Sequence, residues 1–273
     1  MADFKMVDIS LSEATALTEI SYPNPTPHPD VTLLIVAYNE EERIGHLLDT
    51  LKPYFDHTVV CVQESTDKTL EIVRGRMTRP GDTILTDAHW GHGDKSFPRM
   101  VGASMTRWCF VVSCDEMPNA ELLDSISTAI AVAESDLLHN EAIWVPFRSW
   151  IDDIEIEADH GHLRLFRRSV GWPETLHSRP MTQKAIWWPH GCIEHRRSLD
   201  EMMIDYLNYF ERGRGHIGWE THNRAQMNDA CAFVAGVKGW AYVMSFPWWE
   251  RVQEITGLAP LAVAGGMEHA SRP

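Results

Sequence analysis

Asp115 and Glu116 stand directly after WCFVVS, residues 108–113, a run apolar enough for a buried strand. Two neighbouring carboxylates at the mouth of such a strand project beyond it. Carboxylate oxygens with open positions suit Mg²⁺ or Mn²⁺, and such a cation can bridge a diphosphate. Local structure offers a plain alternative: the pair precedes Pro118 and Asn119, which open a helix, and acidic residues stabilise a helix start. A second polar cluster, Ala37-Tyr38-Asn39-Glu40, closes the apolar run VTLLIVA, residues 31–37. Ile44, Leu47, Leu48 and Leu51 follow at helical spacing. Polar groups at the carboxyl ends of buried strands are where open α/β sheets bind ligands.

Other candidates are weaker taken singly. Ser65 or Thr66 can cap a helix, with Asp67 complementing its dipole. Gln63 ends another apolar run and can bond a pyrimidine edge through its amide. Arg99, preceded by Lys95, carries charge that suits a diphosphate, although a helix arginine is commonly just solvated. His89 with His92, and the group His190, Cys192 and His195, are zinc-ligand types, but their spacings match no closed tetrahedral pattern.

The elements that must position these groups alternate. Strand 31–37 leads to helix 40–52, and strand 57–63 to helix 66–76. A short strand at 82–86 passes through DAHWGHGDK to a helix at 95–106. Strand 108–113 then precedes a helix running from Pro118-Asn119 to about residue 134. This βαβαβαβα series predicts an α/β fold with a mostly parallel, doubly wound sheet and helices on both faces. Beyond residue 140 the texture changes. IWVPFRSW and HLRLFRR read as strands around the acidic IDDIEIEADHG, and 198–211 reads as an amphipathic helix. Residues 1–30, with Pro23, Pro25, Pro27 and Pro29, read as an extended arm or linker. The expected organisation is therefore the arm, a main domain over 31–245 with halves 31–140 and 141–245, and a tail over 246–273.

The chain has 273 residues and a formal net charge of −15, which argues against a nucleic-acid partner. Arg164, Arg167, Arg168, Arg179, Arg196 and Arg197 nevertheless gather in one stretch. Five cysteines, Cys61, Cys109, Cys114, Cys192 and Cys231, form no CxxC and read as buried thiols in a reducing compartment. The N-terminus lacks the pattern of a signal peptide, and no segment is apolar enough for a membrane helix. The expectation is a cytoplasmic protein.

The ordered set of motifs resembles family 2 glycosyltransferases of GT-A fold, and within them the branch of lipopolysaccharide-core glucosyltransferases. The resemblance spans residues 31–210. Tyr38-Asn39-Glu40 matches a turn that touches the nucleotide in that family. Ser65-Thr66-Asp67-Lys68-Thr69 matches S-T-D-G-T, but Val62 and Gln63 replace the two carboxylates that contact the nucleoside. Arg99-Met100-Val101-Gly102 is similar to R-N-x-G. Ser113-Cys114-Asp115-Glu116 is similar to D-A-D-E, with Ser113 replacing the first aspartate. Arg164-Leu165-Phe166-Arg167, Trp172 and His177 resemble R-L-F-R…W…V-H-E, whose final glutamate is Ser178 here. The resemblance implies Asp115 as metal ligand, with Glu116 and His195 as further metal candidates. It implies Ala37, Tyr38, Asn39, Glu40, Gln63, Asp67, Arg99, Ser113 and Cys114 around the donor.

The implied activity is metal-dependent (Mn²⁺ or Mg²⁺), inverting transfer of a sugar from a nucleotide-diphosphate sugar, a UDP-sugar first among them. Such transfer needs a base to deprotonate the acceptor hydroxyl. Asp152, Asp153, Glu174 and His177 are the candidates. A glycan, a lipid-linked sugar and a protein side chain all remain open as acceptor, and a homo-oligomer is compatible with the sequence. Two rivals stand beside this reading. A sugar nucleotidyltransferase should carry a Gly-rich basic loop over its triphosphate, whereas Glu40, Glu41 and Glu42 make this turn acidic. A non-catalytic nucleotide- or carbohydrate-binding protein is favoured by the replacements at Val62, Gln63 and Ser113.

Overall fold

The computed structural model describes residues 25–89, 93–135, 139–156, 161–173, 179–212 and 219–258. They fall into two compact units, one ending at Arg197 and one beginning at Ser198.

In the first unit, β1 (Val31–Ala37), β2 (His57–Gln63), β3 (Asp82–Asp87) and β4 (Trp108–Ser113) are parallel neighbours in the order β3-β2-β1-β4. Period-2 alternation places their side chains on two faces. Leu33, Ile35 and Ala37 of β1 join one core, while Leu34 joins the other. The first core is covered by α1 (Ile44–Leu51), α2 (Thr69–Arg76) and α4 (Ala120–Ala133). The second is covered by α3 (Phe97–Ala103) through Phe97, Met100 and Val101. Helices therefore lie on both faces, as the alternating pattern predicts. Leu33, Leu47, Leu48 and Ile35 are fully buried, each stabilising the sheet by about 2 kcal/mol.

Beyond β4 the sheet changes direction. β8 (Gly161–Arg167) is antiparallel to β4, and β6 (Ala142–Ile151) is antiparallel to β8. β10 (Ile193–Arg197) runs parallel to β6, and the short β5 (Glu116–Pro118) pairs with β10 in antiparallel fashion. β7 (Ile154–Ile156) and β9 (Ala185–Trp187) complete the edges of β6. The parallel half is thus followed by a mixed half built around β6.

Two helices begin later than the periodicity predicts. The segment expected from residue 40 becomes helical only at Ile44, and the one expected from residue 66 only at Thr69. The intervening residues are tied to each other instead. Asn39 adopts φ +53, the left-handed region, which turns the chain before a helix can start. Asp67 accepts from the Thr69 backbone N–H at 2.9 Å, a short turn that leads into the helix, and neither Ser65 nor Thr66 caps it as expected. Asn119 caps α4 by accepting from the Leu122 N–H at 2.9 Å. Gly191 lets the chain pass that cap: it has φ +75, and a Cβ there would sit 2.2 Å from the Leu122 nitrogen. The end of the proline-rich segment is anchored at His28, whose imidazole bonds Leu123 O and Ser127 Oγ of α4, each at 2.7 Å.

The second unit contains α5 (Leu199–Arg212), α6 (Trp219–Lys238), α7 (Trp240–Val243) and α8 (Trp249–Thr256). α5 matches the helix read over 198–211. Ser198 and Glu201 form a reciprocal capping box at its start, with bonds of 3.1 and 2.9 Å. Met203, Met227, Cys231, Val234 and Val252 are buried in this unit, and Trp248 donates to Asp200 at 2.7 Å. Among the described residues no helix is long and apolar enough to cross a membrane.

Candidate functional site

The carboxyl ends of β3, β2, β1 and β4 lie side by side, with Gln63 opposite Asp87, Ala37 opposite Val62 and Val36 opposite Ser113. The chain moves outward from β1 to β2 and β3, then returns to the other side of β1 as β4. The gap beyond β1 and β4 is therefore a switch point, where open sheets leave a crevice for ligands. Tyr38 leaves on one side of it and Asp115 on the other.

The turn after β1 is laced to the turn after β2. Asn39 N donates to Ser65 Oγ at 3.0 Å, and Asn39 Oδ1 accepts from Thr66 N at 2.8 Å. Glu40 N donates to Thr69 Oγ1 at 2.7 Å, and Glu41 N to Asp67 Oδ2 at 3.1 Å. Burial pushes the Asp67 carboxyl upward, but bonds from the Thr69 hydroxyl and the Thr69 and Glu41 amides outweigh it and hold the group below the usual range. Asp67 and Asn39 thus brace the two turns. Ala37 is buried in the core.

Behind this turn lies a polar chain inside the sheet. Gln63 is buried, and its Nε2 donates to Ser96 Oγ at 3.0 Å. Ser96 Oγ donates to Asp87 Oδ2 at 3.2 Å, and Arg99 pairs with the same carboxylate at 3.0 Å. His89 Nδ1 lies 3.1 Å from Gln63 Oε1. The His89 ring stacks on Tyr38, with centroids 3.4 Å apart and planes within 6°. Arg99, expected to face a diphosphate, has its guanidinium on Asp87.

Asp115 and Glu116 part company. Asp115 Oδ2 is 3.0 Å from His195 Nε2 and 3.3 Å from Arg197 Nε. Burial works to raise the Asp115 carboxyl; the His195 hydrogen bond, the charge interaction with His195 and the Arg197 guanidinium overcome it, holding the group well below the usual carboxylate range. Glu116 is buried on β5, where it accepts from Ser113 N at 2.9 Å and pairs with Arg164. Neither residue caps α4, since Asn119 does that work. Cys114 is buried with its Sγ 3.4 Å from Val36 O, and burial drives its thiol well up, so it ties β4 to β1. Ser113 contributes its backbone N–H to Glu116.

The structure thus brings Asp115 and His195 together and turns Glu116 toward Arg164. His195 and Arg197 share a face of β10 by alternation, and β10 reaches Asp115 because His195 is in register with Glu116. Asp152 begins the turn after β6 at φ +56, and its N–H donates to Arg197 O at 2.7 Å. Asp153 follows it in that turn. Glu174 and His177 lie outside the described residues, as does His92. Sequence reading missed four contributors. Arg197 was visible only as part of an arginine-rich stretch, His89 only as a zinc-ligand type, and Asp87 and Ser96 carried no signal.

Asp115 and His195 are ligand types for a divalent cation, although here they bond each other and the same Asp115 oxygen also meets Arg197. Among the described residues no third His, Cys, Asp or Glu joins them, so diphosphate oxygens and water would complete the shell, as is usual for Mg²⁺ and for Mn²⁺ in such sites. The imidazole suits Mn²⁺ better than the harder Mg²⁺.

No protein-family model matches the chain, and no curated protein matches it in sequence. Among solved structures it is similar to S. aureus TarS 1–349, at 14% identity over 83% of this chain and 80% of that one, with a TM-score of 0.48. The same TarS segment in complex with UDP-GlcNAc gives 12% identity, 84% and 80% coverage and a TM-score of 0.49. M. tuberculosis glucosyl-3-phosphoglycerate synthase gives 13% identity, 44% and 45% coverage and a TM-score of 0.33.

Proposed function

We propose that this protein is a metal-dependent, inverting glycosyltransferase of GT-A type, using a nucleotide-diphosphate sugar and an acceptor hydroxyl. The observation that carries the reading is Asp115, held ionised by His195 and Arg197 across the switch-point crevice from Tyr38. The ordered motifs from Tyr38 to His195 support it independently.

Tyr38 offers its ring to the base, and the Asn39–Thr66 lacing keeps that turn in place. Asp115 and His195 would hold Mn²⁺ or Mg²⁺. The cation would neutralise charge on the departing diphosphate. Arg197 brings a guanidinium to the Asp115 carboxylate, and guanidinium pairs well with phosphate oxygens. Asp152 or Asp153, in the turn bonded to Arg197, takes the proton of the acceptor hydroxyl. The acceptor oxygen then bonds to the anomeric carbon from the face opposite the diphosphate, which leaves as the nucleoside diphosphate, and the configuration inverts.

A nucleotide-binding protein without turnover is the second reading, favoured by the withdrawal of Glu116 into its pair with Arg164. Thermal shift and donor hydrolysis with UDP-sugars, with and without Mn²⁺, separate the two. Stabilisation with slow hydrolysis that needs Asp115 supports transfer. Stabilisation without turnover across varied acceptors supports binding alone, and no stabilisation by any nucleotide sugar overturns both.

A further inference from the structure

Trp187 ends β9, and its indole is both exposed and seated. β9 runs parallel to β6, β6 antiparallel to β8, and β8 antiparallel to β4, so β9 points the same way as β1 and β4. Its last residue therefore lies toward the carboxyl edge of the sheet, as Tyr38 and Asp115 do. Tryptophan is on average a well-buried residue, yet Trp187 is 51% exposed. A Cβ at Gly161 would stand 2.3 and 2.8 Å from two carbons of its six-membered ring, and 2.6 Å from Val145 O. The ring thus crosses β6 and rests where a side chain of β8 would be. A glycine inside a strand marks such close approaches.

Arg164, further along β8, pairs with Glu116, the neighbour of Asp115. The strand rise between Gly161 and Arg164 sets the Trp187 ring about 10 Å from that pair. Trp144, level with Trp187 in the β6–β9 pairing, carries the Arg179 guanidinium 5.7 Å from its ring centroid. The result is an aromatic shelf, backed by main chain, with hydrogen-bond donors beside it and the Asp115 crevice further along.

We propose that Trp187 is a shelf for one sugar ring of the acceptor, and that the acceptor is a glycan chain of gluco-configured pyranoses. This rests on the nucleotide-sugar reading above and names its acceptor class. Such a pyranose has two faces lined by axial C–H groups, with its hydroxyls around the rim. The negative face of an indole attracts those C–H groups, and the Arg179 guanidinium offers donors to rim hydroxyls. A lipid tail or an apolar peptide anchor needs an enclosing pocket instead, which a ring laid on backbone does not provide. The stacked sugar stands back from the reacting end, so the shelf holds the chain while its terminal hydroxyl reaches the crevice.

Saturation-transfer NMR with cellotetraose, chitotetraose and maltotetraose, in UDP and Mn²⁺, tests this on the whole chain. Binding should appear with saturation strongest on the axial protons of one sugar face. Saturation spread evenly around the sugar overturns stacking, a result that needs no variant. Trp187→Ala should weaken the binding roughly tenfold and Trp187→Phe should restore most of it, while UDP affinity does not follow. Tetrasaccharide binding that ignores Trp187→Ala overturns the shelf. UDP binding with no tetrasaccharide bound overturns the glycan acceptor and leaves the nucleotide-sugar reading intact. A dimer that Trp187→Ala dissolves, seen by sedimentation with no sugar bound, makes the ring a contact between copies and overturns the inference. No binding of UDP, UDP-glucose or any tetrasaccharide overturns that reading and this inference together.

Discussion

His195 Nε2 lies 3.0 Å from Asp115 Oδ2, joining residues 80 apart in the sequence. The contact exists because β10 runs back alongside β5, setting His195 opposite Glu116. Arg197, two residues on, reaches the same carboxylate oxygen. Substituting Asp115→Asn removes the charge while keeping the shape. Donor affinity in Mn²⁺ should fall by at least tenfold, and its dependence on Mn²⁺ should vanish. Calorimetry with and without EDTA reads both, and unaltered metal dependence would remove Asp115 from the site.

Glu116 should behave differently from its neighbour. Its side chain is 5% exposed and that of Arg164 15%, so the pair is largely out of water. Removing one member strands the other, and Glu116→Ala should cost about 3 kcal/mol of stability. Asp115→Asn keeps the side-chain shape at a more exposed carboxylate, 20% against 5%, so its cost should be smaller than that of Glu116→Ala. Urea denaturation of both variants distinguishes a structural carboxylate from a site carboxylate; equal losses would contradict the division.

Acid should destabilise the first unit through three carboxylates. Asp67, Asp115 and Glu134 all sit below their ordinary values of 3.8, 3.8 and 4.5. For Glu134, burial acts upward and is overcome by the Trp108 indole N–H and by Arg107 and Arg167. A depressed folded value means the stabilisation is full above the unfolded value and is lost as pH falls through the folded one. Melting temperature should therefore hold above about pH 5 and fall below about pH 4. Asp115→Asn should flatten part of that fall, and an unchanged acid limb would count against the assignment.

Asn39 carries both a left-handed backbone and two bonds across the turns. Asn39→Gly keeps the backbone freedom and loses only the Oδ1 bonds, for about 1 kcal/mol. Asn39→Ala adds steric strain of about 1 kcal/mol more. Both should weaken nucleotide binding, Ala more than Gly, as read by thermal shift with UDP. The reverse order would mean that the turn does not need this geometry.

Much of the parallel half was legible in the sequence. The runs 31–37, 57–63 and 108–113 form strands over those same residues, because continuous apolar stretches are buried on both sheet faces. Helix starts were less legible, because residues 40–43 and 66–68 spend their polar groups between loops. The last segment, rich in Trp, Gly and Ala, was assigned no elements from the sequence, yet residues 219–256 fold into helices within the second unit.

The sequence by itself determined the alternation of strands and helices over the parallel half, the polar cluster that ends β1 and the presence of two carboxylates beyond β4. Tertiary structure alone decided their partners. Asp115 meets His195 and Arg197, while Glu116 meets Arg164, 48 residues away, and His89 covers Tyr38. Local sequence sets apolar periodicity, which a strand or helix expresses over a few residues. Which charged groups meet depends on the pairing and register of strands far apart in the chain, and a shift of one residue would turn His195 and Arg197 to the opposite face.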